Sequence, residues 1–176
     1  FEETDWANYV QVNRIFARHV QEVVGNRKAV VFVQDYHLAM LPRFLKEANP
    51  AIRTVHFWHI PWPRWEVFRT FPWAEGLLEG LLGSDLIGFH TPEQSQNFLE
   101  SVEHGLKACV DYDRQEITHK NRSTVVGAFP IGVDIEQISS DVQAEDVEAE
   151  MEALRTALGL RDRLVGIGLE RADYTK

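Results

Sequence analysis

The chain has 176 residues, 44% apolar and 26% charged, with 27 acidic against 18 basic side chains and a formal net charge of −9. That balance belongs to a globular domain, and the acidic excess argues against nucleic-acid binding, which needs a basic stripe against phosphate. Cys109 is the sole cysteine, so no internal disulfide forms, as suits a reduced, cytoplasmic setting; no apolar run approaches the ~20 residues of a membrane span, and no signal peptide is visible.

Residues 6–24 carry Trp6, Tyr9, Val10, Asn13, Ala17, Val20 and Val24 at helical spacing. Asp5 is the expected N-cap and Gly25 the expected stop. Residues 29–34 form a continuous apolar run, as expected of a parallel strand buried on both faces. Asp35-Tyr36-His37 follows, and a helical pattern over 38–48 ends before Asn49-Pro50. A second strand over 53–58 leads into His59-Ile60-Pro61-Trp62-Pro63, where two prolines stiffen the loop. Short helices are expected at 65–70 and 73–82, then a third strand at 85–89 ending in His90-Thr91-Pro92. Thr91 and Pro92 suit the cap and first turn of a helix over 93–107.

Residues 114–129 read as a polar hairpin around Lys120-Asn121-Arg122-Ser123, and 130–134 as a turn leaving the sheet. An acidic amphipathic helix is expected over 141–158, stopped by Gly159, and a fresh strand over 163–169. Alternating strands and helices imply an α/β fold with a doubly wound parallel sheet. A domain boundary is expected within 135–162. The chain opens on Phe1 straight into a helical pattern, and is read as an internal piece of a longer protein.

Ligands of open parallel sheets bind outside the carboxyl ends of the strands. That rule selects Asp35-Tyr36-His37, His59-Ile60-Pro61, His90-Thr91 and the loop Arg171 to Lys176. Several of these segments sit inside longer motifs. Val33-Gln34-Asp35-Tyr36-His37-Leu38 with Leu41-Pro42 resembles the signature HDYHL…LP of the trehalose-6-phosphate synthase family. His59-Ile60-Pro61-Trp62-Pro63 with Glu66-Val67-Phe68-Arg69 resembles its HIPFPSSEIFR, and residues 83–91 its GADLIGFHT. Residues 129–134 match FPIGID, and Gly168 to Lys176 resembles GVDRLDYTK. The five motifs fall in family order over about 140 residues, and their combination is far more specific than any one alone.

The resemblance implies a GT-B architecture of two Rossmann-like domains facing across a cleft. Residues 1–140 would be the later part of the N-terminal, acceptor-side domain, 141–162 a linker with its helix, and 163–176 the first strand of the nucleotide-sugar-binding domain. Arg171 and Lys176 match the pair that holds the donor diphosphate, where forked hydrogen bonds and a point charge stabilise the leaving group; without the motif they would read as solvated loop cations. His59 matches a histidine that touches the donor sugar near the reacting centre, where a neutral imidazole can donate to a hydroxyl. Asp35 matches a contact to acceptor hydroxyls, and is equally placed to cap the next helix. Tyr36 and His37 are acceptor-side candidates or scaffold. Arg64 meets an acceptor phosphate or faces water.

His56-x-x-His59 is not a metal pair, because residues three apart on a strand point to opposite faces. Asp111-Tyr112-Asp113 reads as a surface turn rather than a metal motif. Trp62, Trp65 and Trp73 crowd one region, as sugar platforms or as core; Trp62-Pro63-Arg64-Trp65 departs from the family's FPSS and leaves the acceptor open.

The family resemblance implies retaining transfer of glucose from UDP-glucose, or another nucleoside diphosphate glucose, to glucose 6-phosphate. No metal or cofactor is expected beyond the nucleotide-sugar co-substrate. Glycerol 3-phosphate as acceptor and a non-catalytic family member are the alternatives. No nucleic-acid or membrane partner is expected, a homo-oligomer is compatible, and the 176-residue chain alone is expected to be inactive.

Overall fold

A computed structural model describes residues 2–143, 146–160, 163–166 and 168. It divides into two units, residues 1–130 and 131–176.

In the first unit, helix α1 (Glu3–Val24) precedes strand β1 (Val30–Gln34), a 3-10 turn (Tyr36–Leu38) and helix α2 (Leu41–Ala48). Strand β2 (Arg53–Phe57) then leads through helices α3 (Trp65–Phe68) and α4 (Ala74–Leu81) to strand β3 (Leu86–Phe89). Helix α5 (Pro92–Leu106) follows, with strands β4 (Cys109–Asp111), β5 (Glu116–His119) and β6 (Arg122–Ala128) closing the sheet. The helix ends obey local rules. Gly25 takes φ 59 to stop α1, and Thr91 caps α5 by accepting from the Gln94 N–H, with Pro92 in the first turn. The N-cap of α1 is Glu2, not Asp5: Asp5 sits one turn in and accepts from the Glu2 N–H at 3.0 Å, the reciprocal contact of a capping box.

The strand order is β1-β2-β3-β6-β5-β4. The first four are parallel; β5 pairs antiparallel with both β6 and β4. The expected hairpin is therefore β5–β6, turning at Lys120 (φ 47) and Asn121 (φ 61), the two left-handed residues that a tight hairpin needs. β6 is also the fourth parallel strand, and β4 extends the edge beyond what the pattern revealed.

Strands added in one direction, joined by right-handed crossovers, put their connecting helices on one face. That face carries Val33, His56, Ile87 and Val126, all buried, and packs against α1, α2, α4 and α5. The other face leaves Val30 71% and Phe32 60% exposed. Among the described residues β1 thus ends the sheet with one covered face, where its apolar run suggested burial on both. Packing of α4 on α2 depends on Gly83, where an added Cβ would lie 2.1 Å from the Arg43 nitrogen. Asp85, at the amino end of β3, accepts from Lys46, Arg53 and the Thr54 N–H. Burial works against its charged form, but these donors outweigh that and lower its pKa.

In the second unit the helix expected over 141–158 is α7 (Val147–Ala157), and a further helix, α6 (Ile135–Val142), precedes it. Asp134 starts α6 by accepting from the Gln137 N–H at 2.9 Å, a cap that the sequence reading had placed inside a turn. Gly159, at φ 65, follows the end of α7 as expected. The strand expected over 163–169 is not formed by its described residues, 163–166 and 168. Among the described residues, no helix is long and apolar enough to cross a membrane.

Candidate active site

The parallel ladder continues past the strand ends. The Asp35 N–H donates to the Phe57 carbonyl at 2.7 Å and the Trp58 N–H to Gly88 at 2.9 Å, so Asp35, His59 and the residues after β3 arrive at the same edge of the sheet. Asp35 stands there with φ 61 and ψ −176, a backbone region essentially reserved for glycine that costs about 1–3 kcal/mol for other residues. Its carboxylate does not cap the following 3-10 turn. Instead Oδ1 accepts from the His59 N–H at 3.3 Å, so the cap reading gives way to a strand-to-strand tie.

The loop after Asp35 is held from below by two polar residues of α1. The Tyr9 hydroxyl donates to the Tyr36 carbonyl at 2.5 Å and accepts from the Ala39 N–H at 3.0 Å. Asn13 is fully buried; its amide donates to the carbonyls of Tyr9 and His37 and accepts from the Met40 N–H. Burial pushes the Tyr9 pKa up to about 12, against the opposing effect of the Ala39 N–H and Asn13. Sequence spacing had placed both residues on the helix's inner face without revealing that they act as clamps.

His59 is exposed, and its Nε2 lies 2.6 Å from Oε1 of Gln34 at the end of β1. An amide oxygen only accepts, so this contact is a hydrogen bond when Nε2 carries a proton. In that arrangement Nε2 is engaged within the protein and Nδ1 is the ring nitrogen that remains. The ring sits 4.8 Å from Phe57 and 5.5 Å from His90, centroid to centroid. His90 donates its N–H to Gln94 Oε1 at 3.3 Å and meets the edge of Phe57 at 4.9 Å. His56, on the opposite face of β2, is fully buried. Burial pushes its pKa down to about 4, with the Asp35 peptide and carboxylate opposing; it is a neutral core residue.

Tyr36 is half-buried and stacks on the exposed His37 ring at 4.1 Å; the carbonyls of both are spent on the α1 clamps. Tyr36 also lines an apolar cavity of about 470 Å³ with Trp6, Tyr9, Trp58, Phe71 and Trp73. Arg64 is 74% exposed, 3.9 Å from the Glu93 carboxylate, and no hydrogen bond or ion pair joins it to Asp35 or His59.

The three tryptophans part company. Trp62 is core, its Nε1–H donating to Ser101 Oγ at 3.0 Å. Trp65 stacks near His104, and Trp73 lies parallel to Trp6 at 5.6 Å. The Asp111-Tyr112-Asp113 segment turns back on itself, with Asp111 accepting from the Arg114 N–H at 3.0 Å. Arg171 and Lys176 lie outside the described residues. The structure therefore brings together Gln34, Asp35, His59 and His90. Gln34 was missed as a site residue although it lies inside a motif, and His90 was selected by the strand-end rule without a role.

Comparison with known proteins places this edge in a family context. The description "Glycosyltransferase family 20" matches residues 1–176. The UDP-forming alpha,alpha-trehalose-phosphate synthase of Pichia angusta is 34% identical over 181 residues, covering 100% of this chain and 37% of that protein. An alpha,alpha-trehalose-phosphate synthase (UDP-forming) from Burkholderia xenovorans, solved in complex with glucose-6-phosphate, superposes with a TM-score of 0.74 at 26% identity, over 88% of this chain and 36% of that one. The N-terminal domain of Candida albicans trehalose-6-phosphate phosphatase gives a TM-score of 0.75 at 29% identity, over 88% and 33%. The chain thus spans about a third of the length of these relatives.

Proposed function

The chain belongs to glycosyltransferase family 20, and on that premise we propose that the protein transfers glucose, with retention, from UDP-glucose to glucose 6-phosphate, giving α,α-trehalose 6-phosphate. The observation that carries this reading is the Asp35–His59 pair, because strained backbone at a strand end is retained where a side chain must be aimed. The relatives' names and the neighbour solved with glucose-6-phosphate support the choice of substrates.

In this reading residues 1–140 are the acceptor side, with Asp35 accepting from an acceptor hydroxyl, and His59 contacts the donor sugar. Tyr36 and His37 shape the acceptor side through the loop that α1 clamps, and Arg64 is available to an acceptor phosphate. Arg171 and Lys176 hold the donor diphosphate. The acceptor hydroxyl attacks the anomeric carbon from the leaving-group face as the bond to the diphosphate oxygen breaks. Its proton passes to that departing oxygen, so no enzymic nucleophile and no metal take part. Positioning and electrostatic stabilisation of the leaving group supply the rate.

The deciding experiment incubates the full-length protein with UDP-glucose and, separately, glucose 6-phosphate or glycerol 3-phosphate, following UDP release and product identity. Release with glucose 6-phosphate and formation of trehalose 6-phosphate is the expected outcome. Release with glycerol 3-phosphate alone moves the acceptor assignment, and release with neither acceptor or any other nucleotide glucose sinks the reading in favour of a non-catalytic member. The 176-residue chain by itself is expected to release no UDP.

A further inference from the structure

We propose that Gln34 is a positioning residue that orients the His59 ring by accepting from its Nε2–H, leaving Nδ1 to accept a hydrogen bond from a substrate hydroxyl. The proposal rests on the glycosyl-transfer reading and deepens it. Gln34 is the last residue of β1 and His59 lies just past the end of β2, and the parallel register brings Gln34 opposite Phe57. From there the Gln34 amide reaches Nε2 at 2.6 Å, while the backbone of His59 is tied to Asp35 at 3.3 Å and its ring packs near Phe57 at 4.8 Å. The imidazole is thus fixed at its main chain, at one ring nitrogen and on one side, with Nδ1 left over.

The residue type matters because the family signature carries histidine where this chain has Gln34. Two facing imidazoles share one proton in either direction, and both titrate near neutral pH. A glutamine amide does not titrate, so its hydrogen bond to His59 involves no second ionising ring. Among the described residues, the titratable groups beside His59 are Asp35 after β1 and His90 after β3, while His56 acts on it electrostatically from the other face of β2. Protonation of His59 leaves the bond to Gln34 intact but turns Nδ1 into a donor, removing the acceptor the substrate hydroxyl would use.

The test uses the full-length protein with UDP-glucose and glucose 6-phosphate. Nitrogen-15 shifts of labelled histidine are expected to show His59 with its proton on Nε2 in the wild type and a mixture of tautomers in Gln34→Leu. Transfer by Gln34→Leu is expected to fall about tenfold in kcat/KM, the order of loss from a misplaced contact, and to change by less than twofold when the same substitution is made in a His59→Ala background. Gln34→Glu keeps the acceptor but adds a charge that favours imidazolium. It should stay active at pH 8, with its low-pH limb moved up by about one pH unit. An unchanged His59 tautomer in Gln34→Leu, an equal loss in the His59→Ala background, or an unmoved limb in Gln34→Glu would overturn the assignment. If the wild type transfers nothing, the glycosyl-transfer reading fails, while the tautomer measurement still decides whether Gln34 orients His59.

Discussion

Oδ1 of Asp35 accepts from the peptide N–H of His59 at 3.3 Å, and it does so from a backbone held at φ 61 and ψ −176. The strain and the contact separate in a pair of variants. Asp35→Ala and Asp35→Gly both remove the carboxylate, but only glycine adopts that backbone freely. Both variants of the full-length protein are expected to lose transfer activity at least a hundredfold. By urea denaturation Asp35→Gly should be the more stable of the two, by about 1–3 kcal/mol. Equal stabilities would mean that the loop relaxes without cost.

The clamp beneath that loop gives a second prediction. Tyr9→Phe removes one hydroxyl and leaves two polar backbone groups, the Tyr36 carbonyl and the Ala39 N–H, without the partner they share. A loss of about 1–3 kcal/mol is expected, read as a lower denaturation midpoint at unchanged m. Because the same loop carries Asp35, kcat/KM should fall with it; a variant that loses stability but keeps full activity would show that the clamp does not position the carboxylate.

The parallel strands were legible because apolar runs at 29–34, 53–58 and 85–89 are short, punctuated and followed by polar residues. The strand-end rule selected Asp35 and His59, which the structure brings together at one edge of the sheet. What stayed hidden depends on neighbours distant in sequence. β6 reads as half of a hairpin because its turn residues are local, whereas its parallel pairing with β3 spans an intervening helix. The apolar run of β1 gives no sign that one face is bare, since that follows from the order of all four parallel strands. Nor does a cluster of tryptophans say that Trp62 is core and Trp73 a stacking partner of Trp6. For Arg171 and Lys176, motif resemblance supplies the whole assignment.

Trp62 stands where the family's HIPFP pattern has phenylalanine, so its indole N–H needs a buried partner. Ser101 on α5 supplies it at 3.0 Å, and its own hydroxyl donates to the Asn97 carbonyl at 2.7 Å. Ser101→Ala is expected to cost about 1–3 kcal/mol by orphaning the indole. Adding Trp62→Phe to Ser101→Ala should cost less than Trp62→Phe alone plus Ser101→Ala alone, because the second change removes the orphan. A double-mutant cycle in chemical denaturation checks this, and strict additivity would show that the bond carries no net energy.

His56 ties stability to pH. Its imidazole is fully buried, with neither ring nitrogen making a hydrogen bond of good geometry among the described residues. Burial lowers its pKa from 6.5 to about 4. The unfolded chain therefore takes up a proton that the folded protein refuses over that interval. The contribution is nil above about pH 7, where both states are neutral, and grows against folding as the pH drops from 6.5 toward 4, reaching on the order of 3 kcal/mol. Replacing His56 with leucine, of similar bulk, removes the titration. Measured by urea denaturation at pH 7.5 and pH 4.5, the gap between His56→Leu and the wild type should shift in favour of the variant at the lower pH. A gap that stays constant, or moves the other way, would mean that His56 is protonated in the folded core.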